Sequence, residues 1–477
     1  MNFQDNTPYD ILTEKWNPVL AHDALPEIQD DYRKKVTAVL LENQEQALRS
    51  QYLTEVNGVM DSGNLGMPSD FTNKGAVSGY DPVLISLVRR AMPNLMAYDI
   101  CGVQPMTAPT GLIFAMRANY GGYTYGNTAN YTEAMFQEPQ PAYGGSGYTL
   151  SGAERGATFY GLCGSCGSSA GNPFLLRSIG AANFSRFRGM LTSTGEALGG
   201  AGSVSFNQMA FSIDRVAVQA RTRALSSNYT IELAQDLKAV HGLDAEAELA
   251  NLLSTEILAE INREIVRTVY FVARNGSVQS DIATPGTYNL TRDSDGRWSA
   301  ERFRGLTFQI ERECNAIAKE TRRGKGNFII CDSDTAAALA MSGFMSLSPG
   351  IAPQINGDDT QSTFAGILNG KVRVYIDPYS PMGVNFFVAG YKGESPYDAG
   401  LFYCPYVPLQ MVRAVDPDTF QPRIGFKTRY GVVANPYVLN GTVPDGESLT
   451  QGLNQYYRLT QVQELHGICG AVTFAGS

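Results

Sequence analysis

The stretch YTIELAQDLKAVHGLDAEAELANLLSTEILAEINREIVRTVYFVARN, residues 229–275, is the longest unbroken helical pattern in this 477-residue chain and constrains its fold more than any other segment. Asp244 follows the breaker Gly242 and is placed to cap a helix, with Glu246 and Glu248 putting negative charge in the first turn, where the macrodipole favours it. Leu249, Leu253, Ile257, Ile261, Ile265 and Val269 recur every four residues, with Ala245 and Leu252 beside them, up to a stop at Asn275-Gly276. A helix over 244–275 is a rod of roughly 45–50 Å, enough to cross a whole subunit. Beside the stripe, Glu256, Glu260 and Glu264 stack at i, i+4 and repel, and Arg263 and Arg267 relieve only part of this. The row is either a solvated acidic face or a surface that another strand or subunit answers with arginines.

A chain of this length buries about three quarters of its unfolded surface and needs no covalent staples. The seven cysteines are scattered, with one CxxC (Cys163, Cys166) and no second pair or histidine at ligand spacing. Neither a disulfide framework nor a zinc site is expected, and a reducing cytoplasm is the default compartment. The amino terminus MNFQDNTPYD is polar and no apolar run approaches the ~18 residues that span a bilayer, so neither an export signal nor an anchor is expected. A net charge of −9 without a Lys/Arg-rich block argues against tight sequence-independent binding of nucleic acid, though a surface can still face it. The 49 glycines and 25 tyrosines, with 17% charged residues, point to extended loops and extensive subunit contact.

Residues 1–55 read as a separate piece of two short amphipathic helices, around Ile11–Trp16 and Asp31–Leu48, separated by Pro18 and Pro26. They hold ten acidic and five basic residues, so more than half of the net negative charge sits here. A removable or adaptor segment has this composition. Val56 to Gly79, rich in Gly, Ser, Asn and Asp, reads as accessible linker. A helix with Leu84, Leu87, Val88 and Met92 then ends before Pro93.

The blocks PNLMAYDICGVQPM and PTGLIFAMRA resemble the major capsid (head shell) proteins of T-even-type contractile-tailed bacteriophages. The TIELAQDL segment with VHG and EINRE, then GKGNFIICDS, STFAGILNGKVRVYIDPY, FVAGYKG, DAGLFYCPYVPL and FQPRIGFKTRYG, continue the resemblance in the same order over most of residues 81–437. It implies an α+β Hong Kong 97-type capsid fold. The implied layout is a removable segment at 1–55, an N-arm and linker at 56–105, and an extended loop at 106–228 with an insertion at 120–205. A peripheral domain at 229–298 carries the long helix, an axial domain follows at 299–410, and 411–477 returns to the peripheral domain and tail. Residues 438–477 match the family least.

Within that frame Gly111–Ala118 reads as the outgoing strand of the extended loop and Phe211–Leu225 as the return strand. On the return strand Val216, Val218 and Ala220 share one face, while Arg215, Gln219, Arg221 and Arg223 share the other. This basic stripe on an arm is expected to lie across a neighbouring subunit and answer Glu256, Glu260 and Glu264; the alternative is ordinary solvated charge. Residues 120–205 hold 18 of the 49 glycines and depart from the family pattern, and Cys163-Gly-Ser-Cys166 within them reads as a turn with two small buried thiols. After the long helix, Ser299 is placed to cap a helix through Ile317 that stops at Arg322-Arg323-Gly324. Phe328–Cys331, a short helix from Ser333, and strands at Val372–Ile376, Phe386–Ala389 and Leu401–Cys404 follow, with turns at Asp377-Pro378 and Gly390–Gly393. Met411–Val415 and GFKTRYGVVANP then lead the chain back.

RRGKGN at 322–327 follows a helix and feeds a strand, the reverse of a P-loop, and reads as a capping turn. His22, His241 and His466 form no HExxH, and no GxSxG occurs. No catalytic residue, cofactor or metal is expected. The resemblance implies a major capsid protein that self-assembles into hexameric capsomers of an icosahedral or elongated head around double-stranded DNA, made in the host cytoplasm and ending in the virion. It implies a prohead protease cutting after a Leu/Ile-x-Glu motif; Leu53-Thr54-Glu55 beside the linker fits, giving a chain that begins at Val56 with 36 acidic and 32 basic residues. Leu12-Thr13-Glu14 and Leu40-Leu41-Glu42 also fit the short pattern. Implied partners are further copies of the chain, the vertex capsid protein, scaffold proteins, the protease, outer decoration proteins, a folding chaperone and, by proximity, packaged DNA. The alternatives are the pentamer-forming vertex paralogue, a nanocompartment shell and, from another class, a cytoplasmic enzyme with a Gly-rich lid.

Overall fold

The computed structural model describes residues 8–21, 28, 30–57, 95–120, 132–135, 144, 191–199, 206–279, 281–294, 296, 298–347, 363–381, 383–416, 420–435 and 449–465. The expected linker beyond Asn57, the helix before Pro93, most of the 120–205 insertion with Cys163 and Cys166, His22 and His466 lie outside them.

In chain order the helices are α1 (Pro8–Leu20), α2 (Asp31–Asn57), α3 (Ala97–Ile100), α4 (Thr192–Glu196), α5 (Ile231–His241), α6 (Ala245–Val272), α7 (Ser299–Thr321) and α8 (Ser333–Met341). The strands are β1 (Gly102–Val103), β2 (Thr110–Tyr120), β3 (Thr132–Glu133), β4 (Met209–Gln219), β5 (Arg221–Asn228), β6 (Ala273–Asn275), β7 (Thr287–Asn289), β8 (Phe328–Cys331), β9 (Met345–Leu347), β10 (Thr363–Leu368), β11 (Val372–Ile376), β12 (Asn385–Gly390), β13 (Leu401–Val415), β14 (Pro422–Ala434) and β15 (Asn454–Gln463). They form three sheets among the described residues: β1-β13-β14-β5, an eight-stranded mixed sheet ordered β6-β15-β12-β8-β11-β10-β9 with β7 beside β15, and β3-β2-β4.

Helix α6 is the expected rod. The Asp244 side chain accepts from the Glu246 N–H at 3.2 Å, and Ile257, Ile261, Ile265 and Val269 are completely buried. The stripe belongs to one buried core with Tyr403, Leu409, Ile424 and Phe426 of β13 and β14. Leu252 departs from the expectation: it is 64% exposed, because it lies on the flank that faces α5 rather than the sheet.

The second core lies between α7 and α8 and the eight-stranded sheet, with Leu306, Ile310, Cys314 and Ile317 against Ile329, Val374, Phe387 and Val462. Ser299 is the first residue of α7 rather than its cap; Trp298 occupies the cap, and the Glu301 carboxylate accepts its backbone N–H at 3.4 Å. Arg322 closes the helix in the left-handed region at φ 54°. Strand β13 runs through residue 410, and β15, in the stretch that matches the family least, pairs with β12 over six residues inside the eight-stranded sheet.

Two expectations are corrected. The return strand breaks at Ala220, whose N–H donates to Pro109 O at 2.9 Å; before it the chain pairs with β2, and after it with β14. The crossing is tight, since a Cβ at Gly431 of β14 would sit 2.5 Å from Val218 Cγ1 and 2.9 Å from Gln219 O. Residues 8–57 are also no separate piece. Trp16, Leu20, Val36, Leu40 and Leu41 are buried in the same core as α6, and Pro18 lies inside α1 rather than between helices. Helix α2 continues to Asn57, because the run from Leu48 to Val56 holds no Gly or Pro and several strong helix formers. Leu53, Thr54 and Glu55, expected beside the linker, therefore lie in its last turns, and so does Val56, expected as the linker's first residue.

A pH-dependent tie joins α7 to the turn before β8. Burial would raise the Glu311 pKa, but hydrogen bonds from Lys325 and Asn369 outweigh it and hold the carboxyl below its usual value. A depressed carboxylate contributes stability that is complete above its unfolded value, near 4.5, and is lost as pH falls through the folded one. Glu311→Gln should therefore lower the melting temperature at pH 7 and have a much smaller effect near pH 3, read by thermal denaturation at both.

Candidate assembly surface

Strands β2 and β4 make a two-stranded arm eleven residues deep, paired from Thr110↔Gln219 to Tyr120↔Met209. Side chains alternate between its faces. At the arm's root Ile113, Val216 and Val218 turn inward onto Met106, Phe402 and Val433. The opposite face carries Leu112, Phe114, Met116, Met209, Phe211 and Ile213, each more than half exposed. Arg215 is exposed on that same face, opposite Phe114 in the ladder. What the sequence suggests as a basic stripe is thus an apolar face with one guanidinium in it, while Arg221 and Arg223 belong to a different sheet. Alternation on residues 209, 211 and 213 was the available signal for this face.

A second apolar surface lies where α5 meets α6. Helix α5 is capped by Thr230 and closed by Gly242 at φ 68°, yet buries none of its residues. Ile231, Leu233 and Val240 are about half exposed or more, and Leu233, Leu237, Leu249, Leu252 and Glu256 line a groove between the helices.

The glutamate row is answered, but within the chain. Arg223 of β5 reaches Glu260 at 2.8 Å through Nη1 and Glu264 through Nη2, and its Nε also approaches the Tyr430 hydroxyl. Tyr430 in turn donates to Glu264. Burial would lower the Arg223 pKa, but the bonds to Glu264 and Tyr430 raise it; burial and then Glu264 push the Tyr430 phenol up as well. The expected inter-subunit pairing is corrected for Arg223, Glu260 and Glu264: β5 runs beside α6 because both belong to one core. The three side chains stay about one third exposed, so solvent screening keeps each pair near ~0.2–1 kcal/mol. Glu256 lies apart from this cluster, in the α5–α6 groove.

Sequence reasoning missed the stronger anchor of α6. Arg263 donates to both oxygens of Asp377, at 2.8 and 2.7 Å, and Tyr270 donates to the same carboxylate at 2.9 Å. The Asp377 side chain is 3% exposed and also accepts the Tyr379 N–H. Only the Asp377-Pro378 turn is visible locally, and its partner lies 114 residues earlier.

The remaining candidate chemistry is structural. Lys325 of RRGKGN is bound to Glu311 and Arg323 pairs with Asp398 at 3.5 Å, while a Cβ at Gly324 would overlap the Tyr391 ring, so the turn is packed against protein. His241 ends α5. Burial pushes the Cys101, Cys314 and Cys404 thiols up to about 12, which keeps them as inert thiols. Among the described residues no group of three or more His, Cys, Asp or Glu could hold a metal, and no helix is long and apolar enough to cross a membrane.

The chain is 34% identical to the major capsid protein of Enterobacteria phage T4 over 95% of its own length and 98% of the relative's. It is 35% identical to that of Vibrio phage KVP40, over 95% and 100%. The capsid vertex protein of phage T4 matches at 31%, but over only 48% of this chain and 53% of the relative. Among solved structures the capsid of Myoviridae phage XM1 aligns at 9% identity with a TM-score of 0.35, over 77% of this chain and 92% of the other. The family model described as Major capsid protein Gp23 matches residues 77–462. This chain belongs to the Gp23 family of bacteriophage major capsid proteins.

Proposed function

We propose that the chain acts by self-association alone, catalysing no reaction, and that copies join into hexameric capsomers of a head enclosing double-stranded DNA. The observation that carries this reading is the exposed apolar face of the β2–β4 arm. Isolated soluble proteins rarely expose so large a contiguous apolar patch, and burying it against a second copy removes it from water. An arm that reaches a different surface on the next copy makes a heterologous contact, which closes into a ring when the rotation allows. Arg215 on the arm and Glu256 in the α5–α6 groove remain candidates for charge contacts between copies. Further partners in this reading are the vertex protein, scaffold, protease, chaperone and decoration proteins, with DNA facing a less negative inner wall once the acidic segment is gone. The extent of the match to major capsid proteins, about twice that to a vertex protein, favours the hexamer-forming role.

In the same reading a protease cuts the Glu55–Val56 bond. The bond lies in the last turns of α2, so the end of the helix must open into an extended strand first, which costs little at a fraying terminus. Amino-terminal sequencing of the chain from DNA-filled heads tests this. A start at Val56 is expected, and a start at Met1 would remove the processing step.

A further inference from the structure

The segment that processing would remove is held by its own binding site. Between Pro405 and Gln410 the β13–β14 register shifts twice, leaving Tyr406 and Leu409 outside the ladder. Their carbonyls turn to α2. Asn43 Nδ2 donates to Tyr406 O at 2.9 Å and to Met106 O at 2.7 Å, and Gln44 Nε2 donates to Leu409 O at 2.7 Å. Both carboxamides are buried, at 6% and 2% exposure, with Ala38, Leu40 and Leu41 beside them. At the helix start Tyr32 donates to Val103 O, and Arg33 meets Asp99 at 2.7 Å.

We propose that the groove formed by residues 102–106 and 405–410 is a helix-binding site, and that residues 30–47 remain in it as a noncovalent peptide after the chain is cut downstream. None of the contacts just described depends on the peptide bond at residue 55. Cutting therefore makes the segment releasable without releasing it. Its departure strips four backbone carbonyls, those of Val103, Met106, Tyr406 and Leu409, of these donors and uncovers part of the main core, so release is coupled to a rearrangement at the 405–410 bulge. The role in maturation rests on the proposed cleavage; the groove does not.

The test introduces the cut independently. A site-specific protease sequence is placed directly after Asn57 of the full chain, the purified protein is cut, and size-exclusion chromatography with mass spectrometry follows residues 1–57. One fragment per body is expected in the body's peak, and excess synthetic peptide of residues 28–47 should chase it out slowly, which distinguishes binding from enclosure within a particle. Asn43→Ala/Gln44→Ala should speed release by about a hundredfold, because buried carbonyls lose their donors, while the control Gln46→Ala, at an exposed position of the same helix, should leave it unchanged. Separation of the wild-type fragment as soon as it is cut would overturn the proposal, as would retention that competitor peptide cannot reverse. Should the double variant fail to fold, the wild-type retention and chase decide alone. Heads whose chains begin at Met1 would remove the processing step and leave this result standing.

Discussion

Replacing Phe114 and Phe211 together with aspartate should raise the concentration needed for assembly by a hundredfold or more while leaving the subunit folded. The two rings are 60% and 67% exposed on one face of the β2–β4 arm, and neither contributes to the buried core at its root. Burying a phenylalanine against a second copy is worth about 1.5–3 kcal/mol, and two charges in the same place add a desolvation cost. Losing even about 3 kcal/mol per contact is more than a hundredfold in an equilibrium constant. Within the subunit the same changes fall on exposed positions, where substitutions usually alter stability by less than ~0.5 kcal/mol. Light scattering against concentration measures the first quantity and thermal denaturation the second. Unchanged assembly would show that the apolar arm face has another purpose.

The second large effect is expected at Arg458, in the middle of β15. Its guanidinium is 7% exposed and meets Glu313 at 3.2 Å and Glu320, while Arg274 reaches Glu320 from β6 at 3.4 Å. Glu313 is completely buried, and its other oxygen accepts the Ser277 N–H at 2.9 Å and the amides of Gln279 and Gln309 at 2.7 and 2.8 Å. This network fastens α7, β6 and β15 to one another. Arg458→Met leaves the Glu313 carboxylate buried with its cation gone and should cost about 3–5 kcal/mol. Arg458→Met/Glu313→Gln should lose less than the sum of the two single changes, since no uncompensated charge remains. Denaturant unfolding in the assembly-deficient Phe114/Phe211 background gives these numbers free of oligomerisation. Additive losses would mean that the two side chains act separately.

The elements legible in the sequence were those whose signal is local. Four-residue spacing and an aspartate cap give α6, and short apolar runs bounded by turns give β8 and β11. Their buried faces repeat with the period of the element that carries them. The parts that were not legible depend on distant partners. Asn43 and Gln44 look like surface polar residues of a charged helix, and become core residues only because unpaired carbonyls more than 360 residues later need donors. Ala220 carries no sign that the chain changes sheets there, since the pressure comes from the close approach at Gly431. Arg223 and the glutamate row were each visible, but alternation says only which face a charge occupies. Whether its partner belongs to the same chain depends on how β5 and α6 pack. The arm's apolar face was half visible: the alternation from Met209 to Ile213 is plain, but Arg215, Arg221 and Arg223 follow it and make charge the more prominent local pattern.

The most direct test of the central claim is the mass of what the purified wild-type chain forms at neutral pH, by sedimentation velocity with negative-stain microscopy of the fastest fraction. A shell subunit that joins through its arm predicts capsomers that grow into tubes or closed particles of megadalton mass, absent from the Phe114→Asp/Phe211→Asp variant. A single small oligomer of fixed size, the same in both proteins at every concentration, would contradict it.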